Sequence, residues 1–376
     1  MPSSAPSPAQ LAVGAAGGLI LIIALTDIFV TIFAYDGFSF LAPKVHRAMW
    51  ATMRTVTRVL PERQRTAALS LGSALLLPAT LVVWLGLETA GFGMVFVPGL
   101  AHGAFVVSHG SGTGAGSALY LSGGTLTSLT FGDLTPHSAF YRAMIDLETV
   151  VGLATFTLAL TYVLSAFDAL AKLHSLHARV RRNAIEPHRP STIIERRYRS
   201  GGTSYLSDFL QSVVEDLAGY NEGLRRFPVA FYFHSRRIER STPRVFTALG
   251  GLIELSRWGL PSSEAMTTDP ALLALLDEYS NTLNRLDHAF VHHGRETRDE
   301  LTLPSIDALG TEVMATPDER ERFEQMRGEA LAASGVEDHG DREDLERRLR
   351  EWLEFHRAST GFMERLSVAL GYGGRT

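Results

Sequence analysis

Cysteine is absent from the 376 residues of this chain, which excludes disulfide bonds, thiol catalysis and thiolate metal sites. The formal net charge of −5 argues against a dedicated nucleic-acid-binding protein. The C-terminal part contains no glycine-rich turn between a strand and a helix, so it does not predict a Rossmann-type regulatory domain. It contains no phosphate-binding loop either.

Basic residues are scarce in the first part of the chain. Seven of the 35 Lys and Arg residues precede Phe167, and the other 28 follow it. The seven are Lys44, Arg47, Arg54, Arg58, Arg63, Arg65 and Arg142. The same part contains three apolar runs, Leu11–Tyr35, Thr66–Val97 and Ala143–Phe167. Each reaches the roughly 20 residues that a helix needs to cross a membrane. The first part is therefore predicted to be membrane-embedded and the second to be water-soluble.

The distribution of basic residues predicts the orientation. They crowd the segment Lys44–Arg65 and return after the third run, whereas the first 43 residues and Pro98–Tyr141 contain none. Cytoplasmic loops carry the excess of Lys and Arg in membrane proteins. We therefore expect a multi-pass protein of the cell membrane with its N-terminus outside and its C-terminal part in the cytoplasm.

A stretch rich in glycine, serine and threonine separates the second and third runs. It ends in Thr125-Leu-Thr-Ser-Leu-Thr-Phe-Gly-Asp-Leu-Thr-Pro136. This segment resembles the pore helix and filter of two-span potassium channels, whose pattern reads T-x-T-T-V-G-Y-G-D-x-x-P. The pattern falls on Thr125, Thr127, Ser128, Leu129, Thr130, Phe131, Gly132, Asp133 and Pro136. The resemblance implies an all-α membrane protein with three transmembrane helices, a re-entrant pore loop and a homotetrameric assembly.

The residue types suit such a filter, which replaces the hydration shell of an ion with rings of backbone carbonyls. The hydroxyls of Thr127 and Ser128 would face the inner cavity, and Gly132 can adopt a positive φ without steric cost. Phe131 would pack outward as a spacer. A ring of Asp133 carboxylates at the outer mouth would concentrate cations.

Thr130 departs from the family pattern, which has glycine at this position. A β-branched residue with a positive φ is an outlier, so the usual filter backbone is predicted to be strained here. Three outcomes remain open: a filter of low selectivity, a filter that uses the Thr130 hydroxyl as a ligand, or a pore that does not conduct.

Five residues within the apolar runs are unusual for membrane helices. Intramembrane acids are functional candidates by default. In similar channels an acid early in the inner helix bonds to the pore loop, so the resemblance implies that Glu148, next to Asp146, supports the filter, with Glu88 as a second such acid. Asp27 is expected to cap a helix or to pair with linker arginines. Gly152 is a possible gating hinge, although a packing contact is the commoner role.

Leu41–Leu60 reads as a basic amphipathic helix lying at the inner membrane surface near anionic lipids. Its predicted apolar stripe consists of Val45, Met49, Met53, Val56 and Leu60. The first run contains no basic residue, which excludes a voltage sensor in that span.

The C-terminal part is predicted to be mostly α-helical, because no strand-like alternation persists in it. Helix starts are indicated at Ser241-Thr-Pro243, Thr268-Asp-Pro270, Thr316-Pro317 and Asp341, and an earlier helix is expected at about Ser204–Arg226. His288 and His292 have a spacing that can bind zinc, but a solvated helix face is the favoured interpretation, and we expect no metal site.

These patterns predict four parts: an N-terminal transmembrane helix at 1–40, a cytoplasmic linker at 41–65, a pore module at 66–167 and a helical cytoplasmic domain at 168–376. The predicted function is a tetrameric channel for potassium or, given Thr130, for monovalent cations less selectively, without a cofactor. A non-conducting membrane scaffold or sensor is the alternative. A membrane enzyme that uses the histidine cluster of His288, His292 and His293 is a third hypothesis, which we do not favour.

Overall fold

The structure is a computed structural model, which describes residues 7–33, 39–108, 112–129, 132–183, 189–235, 241–291 and 314–372. Up to residue 183, its elements are α1 (Pro8–Phe33), α2 (Ala42–Val56), α3 (Glu62–Ala101), β1 (Phe105–Val107), α4 (Ala115–Leu126), β2 (Leu134–Pro136) and α5 (Ala139–Asn183). Beyond it lie α6 (Ser191–Arg226), α7 (Thr242–Arg257), α8 (Pro270–Leu286), α9 (Pro317–Ser334) and α10 (Arg342–Ala369). The described residues are therefore almost entirely helical, as predicted.

Three of these helices are long and apolar enough to cross a membrane. They are α1, α3 and the Ala139–Val180 part of α5, with 26, 40 and 42 residues. Each contains one of the predicted apolar runs over most of its length, and α3 and α5 extend it at both ends. The three predicted spans are confirmed.

The chain divides into two compact units. The first, here called the membrane unit, comprises Met1–Val56, Leu71–Phe167 and Arg225–Val229. The second, the helical unit, comprises Thr57–Ser70, Asp168–Leu224 and Ala230–Thr376. The membrane unit contains the segment that resembles a filter.

Asp27 joins three segments of the membrane unit. Its Oδ1 accepts hydrogen bonds from the backbone N–H groups of Phe40, at 2.9 Å, and Leu41, at 2.6 Å, just before α2 begins. Its Oδ2 accepts a hydrogen bond of 3.0 Å from the indole Nε1 of Trp84 in α3. Asp27 thus caps α2, one of its two expected roles, and fixes the linker against the spans.

The most deeply buried residues of α2 are not those of the predicted stripe, of which Val45, Met49 and Met53 are half-buried. The fully buried residues are Ala42, His46 and Trp50, whereas Val56 is 64% exposed. His46 Nε2 lies 2.8 Å from the Thr80 hydroxyl of α3. The predicted stripe contained only valine, leucine and methionine. Histidine and tryptophan also pack well in a protein interior when their ring nitrogen has a hydrogen-bond partner.

The helical unit begins its helices largely where the caps predicted. Asp269 accepts hydrogen bonds from the N–H groups of Ala271 and Leu272 at the start of α8, and Thr316 forms a capping box with Glu319 at the start of α9. α6 starts earlier than expected, at Ser191, but its backbone is broken at Gly202, where φ is 70°. The predicted helix corresponds to the part after this break.

Candidate functional site

α4 packs through small side chains on one face. This face carries the buried residues Ala118, Ser122, Thr125 and Leu126. Against it, Gly93 of α3 allows a close approach, because a Cβ at that position would lie 3.0 Å from Leu119 Cδ2 and 3.5 Å from the Ala118 carbonyl oxygen. One turn away, the Ser122 hydroxyl donates a hydrogen bond of 2.9 Å to the Thr89 carbonyl. The backbones of α3 and α4 therefore run close together over two turns.

α4 ends in a Schellman turn centred on Ser128. The N–H of Ser128 donates to the Thr125 carbonyl at 2.9 Å, and the N–H of Leu129 donates to the Gly124 carbonyl at 2.7 Å. Ser128 has a φ of 59°, in the left-handed region that glycine normally occupies in this turn. A residue with a Cβ costs roughly 1–2 kcal/mol there. The pattern gave no sign of this strain, because it placed the outlier at Thr130.

The segment that resembles a filter begins at this turn. Its first three residues, Thr127, Ser128 and Leu129, are exposed in the single chain, Leu129 by 59%. The Thr127 hydroxyl donates to the Gly123 carbonyl at 2.7 Å, so it is directed back along α4. Thr130 and Phe131 lie outside the described residues, and the strain predicted at Thr130 stays a prediction.

The segment leaves through Gly132 and Asp133 into a small sheet. Gly132 has a φ of 77°, a positive value that glycine adopts without steric cost. β2 then pairs antiparallel with β1, with Phe105 opposite Pro136. The Asp133 carbonyl accepts a hydrogen bond of 3.0 Å from the Ser108 N–H, which extends the pairing. The two ends of the 108–133 segment thus lie side by side. Strands of three residues are too short to show alternation, and this sheet was not predicted.

Glu148 is fully buried and contacts α4. Its Oε1 forms a hydrogen bond with the Ser122 hydroxyl, which also donates to the Thr89 carbonyl. A hydroxyl has a single hydrogen to donate. The Ser122 hydrogen is therefore shared between the Glu148 carboxyl and the Thr89 carbonyl. Glu148 therefore ties α5 to α4 and, through Ser122, to α3.

Glu88 is the second fully buried acid, and it joins α3 to α5. Its Oε1 accepts a hydrogen bond of 2.7 Å from the Thr155 hydroxyl. Glu88 thus contacts α5, the inner helix, and not the filter-like segment. Asp146 is exposed. The support of the filter by these acids stays a prediction. Their hydrogen-bond partners show which helices each acid connects.

Gly152 lies against the end of α4. A Cβ at this position would overlap the Leu126 carbonyl oxygen and would lie 3.0 Å from the carbon of that carbonyl. α5 can therefore approach α4 this closely because residue 152 has no side chain. This contact gives the glycine a packing role. Its use as a hinge stays a prediction.

The histidine cluster gives no metal site in the part of the chain that the structure describes. No group of three or more His, Cys, Asp or Glu side chains able to hold a metal ion occurs there. His288 lies in the π-helical turn Asp287–Val291, and His292 and His293 lie outside the described residues.

The comparisons with known proteins agree with this geometry. Residues 82–169, from within α3 to within α5, match a family model described as an ion channel. This segment, here called the channel domain, is therefore similar to an ion channel family, in agreement with the resemblance of its sequence to potassium channels. It contains α4, the filter-like segment, both buried acids and Gly152.

A similar membrane protein extends the comparison beyond the channel domain. The uncharacterized membrane protein YdjJ of Bacillus subtilis (strain 168) is 21% identical over 299 residues, which cover 78% of this chain and 84% of that protein. No solved structure matched the chain. The three candidate spans and this relative support a multi-pass membrane protein, one segment of which matches an ion channel family.

Sequence reasoning found the acids of the channel domain but not their partners. Ser122, Thr155 and Thr89 were not singled out, although a buried carboxyl must find a hydrogen-bonding partner. Serine and threonine residues on the other helices are the natural candidates for these partners, but the sequence offers too many of them to choose from. Only the packing of the three helices selects among them.

Proposed function

We propose that the protein is a homotetrameric cation channel in which Thr127–Asp133 lines a four-fold pore. Potassium is the first ion expected from the family resemblance. Thr130 in place of glycine favours lower selectivity among monovalent cations. Each chain supplies one loop, so four copies are needed to close the rings of backbone oxygen around an ion. The channel family points to transport and not to catalysis.

The path of α4 carries this proposal. Its 12 residues extend about 18 Å, well short of a hydrocarbon core of about 30 Å. Its contacts with α3 move from Gly93 to Thr89, away from the end of α3 at Ala101. The pairing of β1 with β2 then brings the chain back to its starting side. These contacts favour a loop that enters and leaves the membrane on one side.

Exposed surface of the channel domain supports the assembly into a tetramer. α5 carries an exposed stripe of which Val150, Leu153 and Leu164 are 60–67% exposed. The filter-like segment is exposed too, and irregular backbone at membrane depth is stable only when it is buried in protein or lines a water-filled path. Other copies of the chain would supply that cover.

The orientation in the membrane follows from the basic residues. They are concentrated in the linker and the C-terminal part, which favours a cytoplasmic location for both and an N-terminus on the outside.

A non-conducting scaffold or sensor is the second candidate. It is favoured by the combination of Thr130 at a glycine position and Ser128 with a positive φ, two departures from an easily formed filter backbone. In that case the pore would be degenerate, and the helical unit would carry the function.

Reversal potentials in mixed potassium and sodium distinguish these candidates. Purified protein in planar bilayers, with flux assays in liposomes, is compared with Thr130→Gly and with the control Thr113→Gly, an exposed threonine before α4. We expect cation currents from the wild type, a several-fold rise in potassium selectivity for Thr130→Gly and no change for Thr113→Gly.

Two results would contradict the proposal. If folded wild type and Thr130→Gly both carry no current, the scaffold is the better description. If currents flow but Thr130→Gly leaves the reversal potential unchanged, the filter register is wrong. Chemical cross-linking in the same liposomes should give a tetramer ladder, and a monomer would exclude a four-fold pore.

A further inference from the structure

An apolar groove runs along the membrane unit between α1, α3 and α5. Its volume is about 480 Å³, and all three helices contribute to its walls. Gly14, Gly18 and Ile22 line it from α1, Pro98 from α3, and Met144 and Leu147 from α5. Its lining lies at the start of α1, the end of α3 and the start of α5. The charge distribution predicts this to be the outer half of the membrane.

Two neighbouring glycines of α1 explain why the groove is open. A Cβ at Gly17 would lie 2.5 Å from the Gly91 carbonyl oxygen, so α1 and α3 touch through their backbones at this point. At Gly18 an added Cβ would meet nothing within 4 Å. α1 is therefore held against α3 on the Gly17 side, and space is left on the Gly18 side.

The walls of the groove continue the surface that faces the bilayer. Leu11, Ile22 and Leu147 line it and are themselves 48–64% exposed. All three lie in helices that are long and apolar enough to cross a membrane, so we expect the medium at this surface to be hydrocarbon. An empty apolar space forfeits dispersion contacts on its lining, and a polar ligand would find no partners in it. A hydrocarbon chain from the bilayer satisfies both conditions.

The length of the groove suits an acyl chain. Its lining on α1 extends from Leu11 to Leu25, a rise of about 21 Å. Half of a hydrocarbon core measures about 15 Å. An acyl chain of the outer leaflet can therefore lie along α1 while its headgroup stays at the membrane surface.

The arrangement of α5 argues against a second copy as the occupant. At 100° per residue, the groove residues at 140, 144, 147 and 151 lie about 120° around the helix from the exposed stripe at 150, 153, 157 and 164. In the proposed tetramer that stripe is the surface that other copies cover, a point that rests on the proposed function. The groove then faces away from those contacts.

We propose that this groove is a binding site for one acyl chain of a membrane lipid. The bound chain packs between α1 and α5 and takes the place of the side chain that Gly18 lacks. α1 is thereby held to the channel domain partly through lipid, which gives this additional span a role in the stability of the domain.

A photoactivatable phospholipid with a diazirine in its acyl chain tests this site. The full chain is reconstituted with the probe, irradiated and mapped by mass spectrometry. Gly18→Leu fills the groove, and Gly86→Leu is the matched control, because a Cβ at Gly86 also meets nothing within 4 Å but lies outside the groove. We expect saturable labelling of the α5 peptide containing Met144, reduced at least fivefold by Gly18→Leu and unchanged by Gly86→Leu.

Three results would overturn the site. They are equal labelling of the two variants, labelling that rises linearly without saturation, and cross-linking between copies through Gly18→Cys with loss of labelling. The last would identify a second copy as the occupant, and the absence of native cysteine makes that thiol unique. Labelling requires no ion conduction, so a failed current measurement and a failed lipid site are separate results. Unchanged thermal stability of Gly18→Leu would show that this variant is folded.

Discussion

Replacing Gly152 by alanine tests the contact between the inner helix and the end of α4. The added Cβ would overlap the Leu126 carbonyl oxygen. That oxygen belongs to the backbone, so no rotation of a side chain relieves the overlap. The two helices must move apart by about 1 Å, and overpacking of this kind costs about 1–3 kcal/mol. Alanine in a helix gains up to about 1 kcal/mol over glycine, which offsets part of this cost.

Gly86→Ala supplies the matched control, because it gains the same helix propensity and meets no neighbour within 4 Å. The difference between the two variants isolates the contact, and we expect Gly152→Ala to be less stable by about 1–3 kcal/mol. Denaturant unfolding in detergent measures the difference. Ion flux in liposomes should fall with Gly152→Ala, since the displaced end of α4 leads directly into Thr127 and Ser128.

The hinge interpretation of Gly152 predicts a different pair of results. A glycine needed for bending would give Gly152→Ala the same stability as Gly86→Ala, with altered opening of the pore. Equal stability of the two variants would therefore refute the packing interpretation. Lower stability with unaltered flux would show that the contact is structural and does not set the filter.

Three further predictions follow from other contacts. Ser128→Gly should raise the free energy of unfolding by about 1 kcal/mol, because glycine adopts the left-handed region without cost, and Ser128→Ala should not. Glu148→Gln, whose amide can still form a hydrogen bond with Ser122, should keep stability and flux near wild type, whereas Glu148→Ala should lower stability by about 0.5–1.5 kcal/mol by removing the hydrogen bond between α5 and α4. Burial lowers the pKa of His46 to about 4, so its contribution is complete above the unfolded value of 6.5 and is lost as the pH falls towards 4. Unfolding measured at pH 7 and pH 4 should show a loss of up to about 3 kcal/mol from this group, which His46→Gln removes.

The sequence predicted features that depend on neighbouring residues. Three spans followed from apolar length, and the starts of α8 and α9 followed from Asp269 and Thr316, which bond to N–H groups two or three residues further on. A local hydrogen bond needs only a local pattern.

Features that join distant residues were not predicted in the same detail. The partner of Asp27 is Trp84, 57 residues away, and no spacing rule connects them. Ser128 was expected to supply a hydroxyl, but its backbone carries the turn that ends α4. The paired residues of β1 and β2 are 27 to 31 positions apart in the sequence, and neither strand shows alternation of its own.

Helices in a bilayer gain no hydrophobic free energy by meeting one another, so close backbone contacts and polar pairs must hold them together. The membrane unit has both kinds of contact, close backbone contacts and polar pairs, where its helices meet. The close contacts involve glycine: Gly17 with Gly91, Gly93 with Leu119, and Gly152 with Leu126. The polar pairs involve buried acids: Asp27 with Trp84, Glu88 with Thr155, and Glu148 with Ser122.

Substitutions disrupt these two kinds of contact in different ways. A side chain added at one of these glycines separates two backbones, whereas removal of Asp27 or Glu88 leaves a buried donor, the Trp84 indole or the Thr155 hydroxyl, unsatisfied at a cost of about 1–3 kcal/mol. The acids and glycines that stood out in the sequence as candidates for function therefore also specify the packing of the helices. The filter-like segment begins just after the part of α4 that contacts Glu148 and Gly152, both of which belong to α5.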